Sequence, residues 1–160
     1  MERKIDMIII HCSDSGEDQD IGVTEIELWH KARAEKEPWS WFNDLQGLPK
    51  YIGYHYVVRR NGFIEVARPV SKIGCHAKGV NKNSIGVCWI GRKHMTEAQK
   101  NGLINMVAKL CIEHGLLVQD IYGHYQFAKH KTCPNFDNPN TFESMDHFRT
   151  VVEMAIRDIK

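Results

Sequence analysis

Apolar positions fall in two rhythms along this chain: short runs that suit strands, and three-to-four-residue spacings that suit helices. The segment DMIIIHCS is apolar and rich in β-branched residues, and it reads as a buried strand ending near His11. SDSGEDQDIG is a polar loop. A helical rhythm then opens at Thr24. TEIE has capping-box spacing from Thr24 to Glu27, and Ile26, Trp29 and Ala32 or Arg33 would line one face until the pattern fades near Ala34. EKEPWSWFNDLQGLPK, with Pro38, Gly47, Pro49, Trp39 and Trp41, is irregular. It suits either a surface loop with a small apolar cluster or a lip over a binding groove, where exposed tryptophans often meet ligand.

YHYVVRRNGFIEVARP has two alternating runs around Asn61-Gly62, the pair favoured in tight hairpin turns. SKIGCHAKGVNKNS is a polar loop, and the continuous apolar run IGVCWIG is a central buried strand. TEAQKNGLINMVAKLCIEHG is an amphipathic helix capped by Thr96 with Gln99, stopped by Gly115, and striped by Leu103, Met106, Val107 and Leu110. LVQDIYGH is a short strand candidate that delivers His124, and TFESMDHFRTVVEMAIRDI is a closing helix. The order predicts an α/β fold: one domain over 1–160, with a central mixed β-sheet flanked by helices on both sides.

Composition changes this picture little. A length of 160 residues suits one domain with a real core, and 42% apolar with 26% charged residues is ordinary for a soluble globular chain. A net charge of +1 argues against a nucleic-acid partner, and no apolar run reaches transmembrane length. The N-terminal MERKIDMIIIHCSDSG reads as a strand rather than a signal peptide, so synthesis in the cytoplasm is expected. The five cysteines are odd in number and include no CxxC pair, which argues against a disulfide framework and a zinc ribbon. Cys88 and Cys111 sit in apolar patterns and read as core residues.

Three residues stand out chemically. His11 ends the first strand, His124 ends the last strand candidate, and Cys133 precedes Pro134. Strand ends beside loops are where open α/β sheets place their sites. Two imidazoles and a thiolate are good zinc ligands, and three protein ligands plus water is the catalytic arrangement. With nine histidines many other triples exist, and ordinary polar residues at strand ends fit the spacing too. Cys12 is a rival ligand, but neighbours on a strand point to opposite faces.

The pieces IIIHCS, GVTEIELWHKAR, IGYHYVVRRNGFIEVARP, GCHAKGVNKNSIGVCWIG and GHYQFAKHKTCPNFD follow one another from Ile8 to Asp137. In that order they resemble the zinc-dependent N-acetylmuramoyl-L-alanine amidases of the short phage-lysozyme type, homologous to the peptidoglycan recognition proteins. The resemblance implies a bound Zn2+ held by His11, His124 and Cys133. It implies a catalytic tyrosine at Tyr54 and a substrate-facing lysine at Lys131, with Lys129 and His130 as bystanders. His130 is the alternative, because the spacing through this loop varies in the family. It implies substrate contacts at His76, Lys78, Asn83 and Ser84.

The expected activity is hydrolysis of the amide bond between N-acetylmuramic acid and L-alanine in peptidoglycan, by a monomeric phage or prophage endolysin. Such a protein acts on the cell wall after release, with no nucleic-acid or membrane partner. The alternative is a non-catalytic peptidoglycan-binding module of the same fold, although such relatives commonly lack the cysteine ligand. A zinc nucleobase deaminase would need H-x-E and P-C-x-x-C, which are absent. The chain departs from many relatives in its short RKH link after CWIG, in its longer tryptophan-containing insert before YIGYH, and in having no separate wall-binding module after the last helix.

Overall fold

The computed structural model describes residues 2–36 and 51–160; Trp39 and Trp41, read as a possible lip, lie outside them. The elements run β1 (Met7–Cys12), α1 (Val23–Lys36), β2 (Tyr56–Val58), β3 (Ile64–Val66), β4 (Ser84–Trp89), α2 (Glu97–His114), β5 (Ile121–Gly123) and α3 (Met145–Ile159). The strands form one mixed sheet in the order β3-β2-β4-β1-β5. β3 pairs antiparallel with β2, and the β2–β4, β4–β1 and β1–β5 pairs are parallel. The predicted element order and sheet type are therefore the observed ones, and the carboxyl ends of β1, β2, β4 and β5 share one edge.

Strand alternation divides the core in two. Ile8, Ile10, Ile85, Val87 and Trp89 join Leu103 and Val107 of α2 and Phe148 and Val152 of α3 in the larger cluster. On the other face Ile26 of α1 meets Val57, Ala67 and Ile90 in a smaller one. His11 alternates with Ile10 and so belongs to the α1 face. Cys88 and Cys111 are buried, as their apolar surroundings predicted. α2 begins with Thr96 and Gln99 in a reciprocal capping box and ends at Gly115 with φ 65°. Its buried stripe matches expectation at Leu103, Val107 and Leu110, with Met106 half-buried.

α1 departs from its predicted pattern in two ways. Trp29 is 48% exposed, and the inward positions beside Ile26 are Glu27, His30 and Ala34. Glu27 does not close a capping box on Thr24. Its carboxylate accepts the backbone N–H groups of Tyr51 and Ile52, while Glu25 accepts from Gly22 and Glu65 from Val23. The helix spends inward positions on polar groups because they secure the strand-like segment 51–54 beside the site.

His55 ties that segment to β4. Its Nδ1 accepts the Gly86 N–H at 3.0 Å, and its Nε2 donates to the Lys72 carbonyl at 2.9 Å. Burial pushes its pKa down to about 3, and the nearby Arg3 guanidinium acts in the same direction. An unfolded histidine titrates near 6.5, so between those values the unfolded chain binds a proton that the folded chain does not. Stability is therefore lost as pH falls below about 6.5, by up to about 1.4 kcal/mol per pH unit from this residue. Urea midpoints measured from pH 7 to pH 4 should fall less steeply in His55→Gln than in the parent. Parallel profiles would show that the folded protein protonates His55 freely.

Candidate active site

The strand ends bring three ligand-type side chains together. His11 is the penultimate residue of β1, His124 opens the turn after β5, and Cys133 follows in the next loop. Their donor atoms all lie within 4.8 Å of one another, the one such group of three among the described residues. The His11 and His124 rings are 4.4 Å apart by centroid, and His124 Nδ1 lies 3.3 Å from Cys133 Sγ. His11 is buried; His124 and Cys133 are half-buried and face a cavity of about 800 Å3.

Local sequence explains the placement. Gly123 precedes His124, and a Cβ there would sit 2.6 Å from the Tyr125 ring and 2.8 Å from Pro134, so only glycine lets the two loop strands close. The Tyr125 N–H donates to the Cys133 carbonyl at 3.0 Å. Trp89 Nε1 donates to the Pro134 carbonyl at 3.1 Å, and Asn135 Nδ2 donates to the Arg92 carbonyl at 2.7 Å. These bonds tie the cysteine loop to the end of β4, while Phe136 anchors it in the larger core.

Electrostatics favour the ligand forms of all these groups. The Cys12 sulfhydryl is hydrogen-bonded to the Cys133 sulfur and, with the two imidazoles, holds the Cys133 thiol well below the ordinary thiol range despite its burial. Cys12 is pushed the opposite way by the same contact and by burial, so it stays a thiol donor. Burial lowers the His11 pKa and keeps its imidazole neutral. A neutral imidazole and a thiolate are what a metal requires. Cys12 was expected to face the core alone. It does join the larger cluster, but it also lines the cavity, because β1 ends there.

Tyr54 lines the same cavity, its ring 5.0 Å from His11 and 5.4 Å from His30. Burial raises its hydroxyl pKa well above the usual value, so it is a protonated donor. Lys131, Lys78 and His76 also line the cavity, as does the supposed bystander His130; Lys129 does not.

Two expected substrate contacts are placed elsewhere. Ser84 is fully buried with its hydroxyl against His76, and Asn83 Nδ2 donates to Asp6 at 2.7 Å. Neither lines the cavity, because the short turn Asn81–Asn83 points Asn81 rather than Asn83 toward it. Sequence reasoning missed His30 and Arg33, which enter the cavity wall from α1. The available signal was the inward helical spacing Ile26–His30–Ala34. His30 Nδ1 accepts the Gly53 N–H at 2.9 Å, and burial pushes its pKa down to about 4.

The profile of the N-acetylmuramoyl-L-alanine amidases matches residues 1–136. The chain belongs to that family. It is accordingly an amidase that hydrolyses an amide bond of peptidoglycan. The endolysin of Escherichia phage T7 is 34% identical over 140 residues, covering 82% of both chains. That of Enterobacteria phage T3 is 33% identical over 138 residues, covering 81% of this chain and 80% of the other. Among solved structures, the N-acetylmuramoyl-L-alanine amidase LysC from Clostridium intestinale superposes with a TM-score of 0.73 at 23% identity, over 94% of this chain and 87% of that one. Drosophila peptidoglycan recognition protein LB does so with a TM-score of 0.62 at 18% identity, over 89% and 85%. At such identities these two bear on the fold of the amidase, which is the same mixed sheet.

Proposed function

We propose that the amidase is zinc-dependent and serves as a phage or prophage endolysin, with residues 1–160 acting as one monomeric domain on the cell wall after release. The bond cut is the amide joining the lactyl group of N-acetylmuramic acid to L-alanine. The observation that carries this reading is the convergence of His11, His124 and Cys133 at the mouth of a cavity that also holds Tyr54 and Lys131. Two nitrogen donors and one sulfur donor, with open space on the fourth side, fit a catalytic zinc rather than a closed structural one. When bound, zinc supplies Lewis acidity toward the scissile carbonyl and acidifies a water at that position.

The protein's own groups do the rest. His11 and His124 stay neutral as donors, and the Cys12 thiol supports the Cys133 thiolate. Tyr54 donates a hydrogen bond where negative charge develops on the carbonyl oxygen, and Lys131 places a cation at the same rim. Arg33 and Lys78 add positive charge to the cavity wall, which suits the carboxylates of a stem peptide. No described helix is long and apolar enough to cross a membrane, so affinity for the wall comes from this cavity and its rim.

Digestion of purified peptidoglycan by the zinc-loaded protein should release new N-terminal alanine. Peptidoglycan that is bound but never cut, with zinc confirmed in the sample, would instead favour a binding module. Lys131→Met should lower kcat/KM roughly tenfold on a soluble muramoyl peptide, a modest loss because an exposed ammonium is screened by solvent. An unchanged kcat/KM would make Lys131 an ordinary solvated loop residue.

A further inference from the structure

His76 was expected to touch substrate, but its two ring nitrogens are already engaged. Its Nδ1 lies 2.8 Å from His11 Nε2, and its Nε2 lies 3.2 Å from Ser84 Oγ. His11 is 1% exposed, His76 9% and Ser84 0%, so water does not compete for these bonds. We propose that Ser84 and His76 form a hydrogen-bonded relay that fixes the tautomer and rotation of His11, making His76 a positioning residue for the metal ligand. This rests on the zinc reading above.

The proton directions follow from simple accounting. His11 Nε2 faces His76, which leaves Nδ1 for the cluster with His124 and Cys133. A ring nitrogen that gives its lone pair to a metal carries no proton, so the His11 proton sits on Nε2. Nε2–H can then only donate, and His76 Nδ1 must accept. That puts the His76 proton on Nε2, which donates to Ser84 Oγ. Every link has one donor and one acceptor. Metal-bound histidines usually have their other nitrogen tied in this way, and loss of such a partner typically costs 10–100-fold in metal affinity. Here the partner is a second histidine, itself oriented by a serine.

The surrounding sequence is organised around the His76 ring. Asn81 Oδ1 accepts the backbone N–H groups of both His76 and Ala77 at 2.9 Å, which clamps the loop that carries the ring. Gly86 lies beneath it: a Cβ there would come within 2.6 Å of the imidazole carbons. Asn81, Ser84 and Gly86, within the short stretch NKNSIG, thus form the floor and walls of one imidazole slot. The relay also explains why a serine hydroxyl is fully buried at the start of a central strand, since buried polar groups are kept where they find partners. With both nitrogens committed, His76 has no donor to offer a substrate.

The test is zinc affinity, measured by competition with a chromogenic chelator, on the full-length protein, His76→Leu, His76→Asn and Ser84→Ala, with Cys133→Ala as the control. His76→Leu should bind zinc 10–100-fold more weakly. His76→Asn should recover most of that loss, because its Oδ1 can accept from His11 Nε2. Ser84→Ala should show a smaller loss of about threefold or less, in the range expected for a more remote partner. If His76→Leu binds zinc within twofold of the parent while Cys133→Ala does not bind, the relay is wrong and the metal site stands. If the parent binds no zinc, or binds it as well without Cys133, the metal reading fails and takes the relay with it. Should the variants not fold, long-range proton–nitrogen spectra of the zinc-loaded parent decide the matter. Both imidazoles must be Nε2–H tautomers, and a proton on Nδ1 of either ring overturns the proposal.

Discussion

Cys133→Ala should cut more slowly than the parent by at least about 10³-fold and should no longer retain zinc through gel filtration. Lewis-acid and water-activating effects are worth several kcal/mol, and each 1.36 kcal/mol is a factor of ten in rate. Truncation removes the anionic member of the donor set and leaves two neutral imidazoles within 4.8 Å of an open position. The fold should tolerate the change. Cys133 is half-buried, and the loop around it is held by Trp89, Asn135 and Phe136 rather than by its own sulfur. A chelator should do to the parent what the mutation does to the variant, and added zinc should rescue only the parent. Cys133→Asp sharpens the test, because a carboxylate oxygen is also a zinc ligand. It should keep measurable zinc and part of the activity. Full activity in Cys133→Ala, or equal inactivity and equal zinc loss in Ala and Asp, would separate catalysis from the ligand role assigned to this residue.

The ligands were easier to read from the chain than their supports. His11, His124 and Cys133 carry distinctive chemistry at places where an apolar run meets a loop, so residue type and position point the same way. Sheet order was legible for a similar reason. The uninterrupted apolar runs of β1 and β4 demand burial on both faces, and these strands sit at the centre. α1 was misread because its inward face is half polar. A hydrophobic stripe through Ile26 and Trp29 looks sound until Glu27 and His30 are needed to hold the backbone of 51–53.

The loop CHAKGVNKNSIG concealed its logic for another reason. Polar side chains in a Gly- and Asn-rich loop read as solvent- or ligand-facing. Only three-dimensional closure shows that Asn81 and Ser84 turn inward to His76 while Lys78 stays outside. Nothing in residue spacing distinguishes a histidine that holds substrate from one that holds another histidine.

Tyr54→Phe isolates one hydroxyl. The ring should keep its place, since its neighbours are the His11 and His30 rings and the apolar cluster of Ile26, Ile52 and Val57, all of which phenylalanine satisfies equally. Zinc affinity should therefore stay within about twofold, because the hydroxyl is not among the converging donors. The chemical step should not be spared. Removing one donor aimed at a developing oxyanion in a water-poor site typically costs 10²–10³-fold in rate, and burial here keeps the hydroxyl protonated and able to donate. The loss should fall on kcat with KM nearly unchanged, since the donor is needed where charge develops and not for holding the glycan or peptide. Single-turnover rates on a defined muramoyl peptide would show it directly. A variant that binds zinc and substrate normally and cuts at the parent's rate would reduce Tyr54 to a packing residue, and the oxyanion would then depend on zinc and Lys131 alone. A variant whose KM rises while kcat holds would make Tyr54 a substrate clamp.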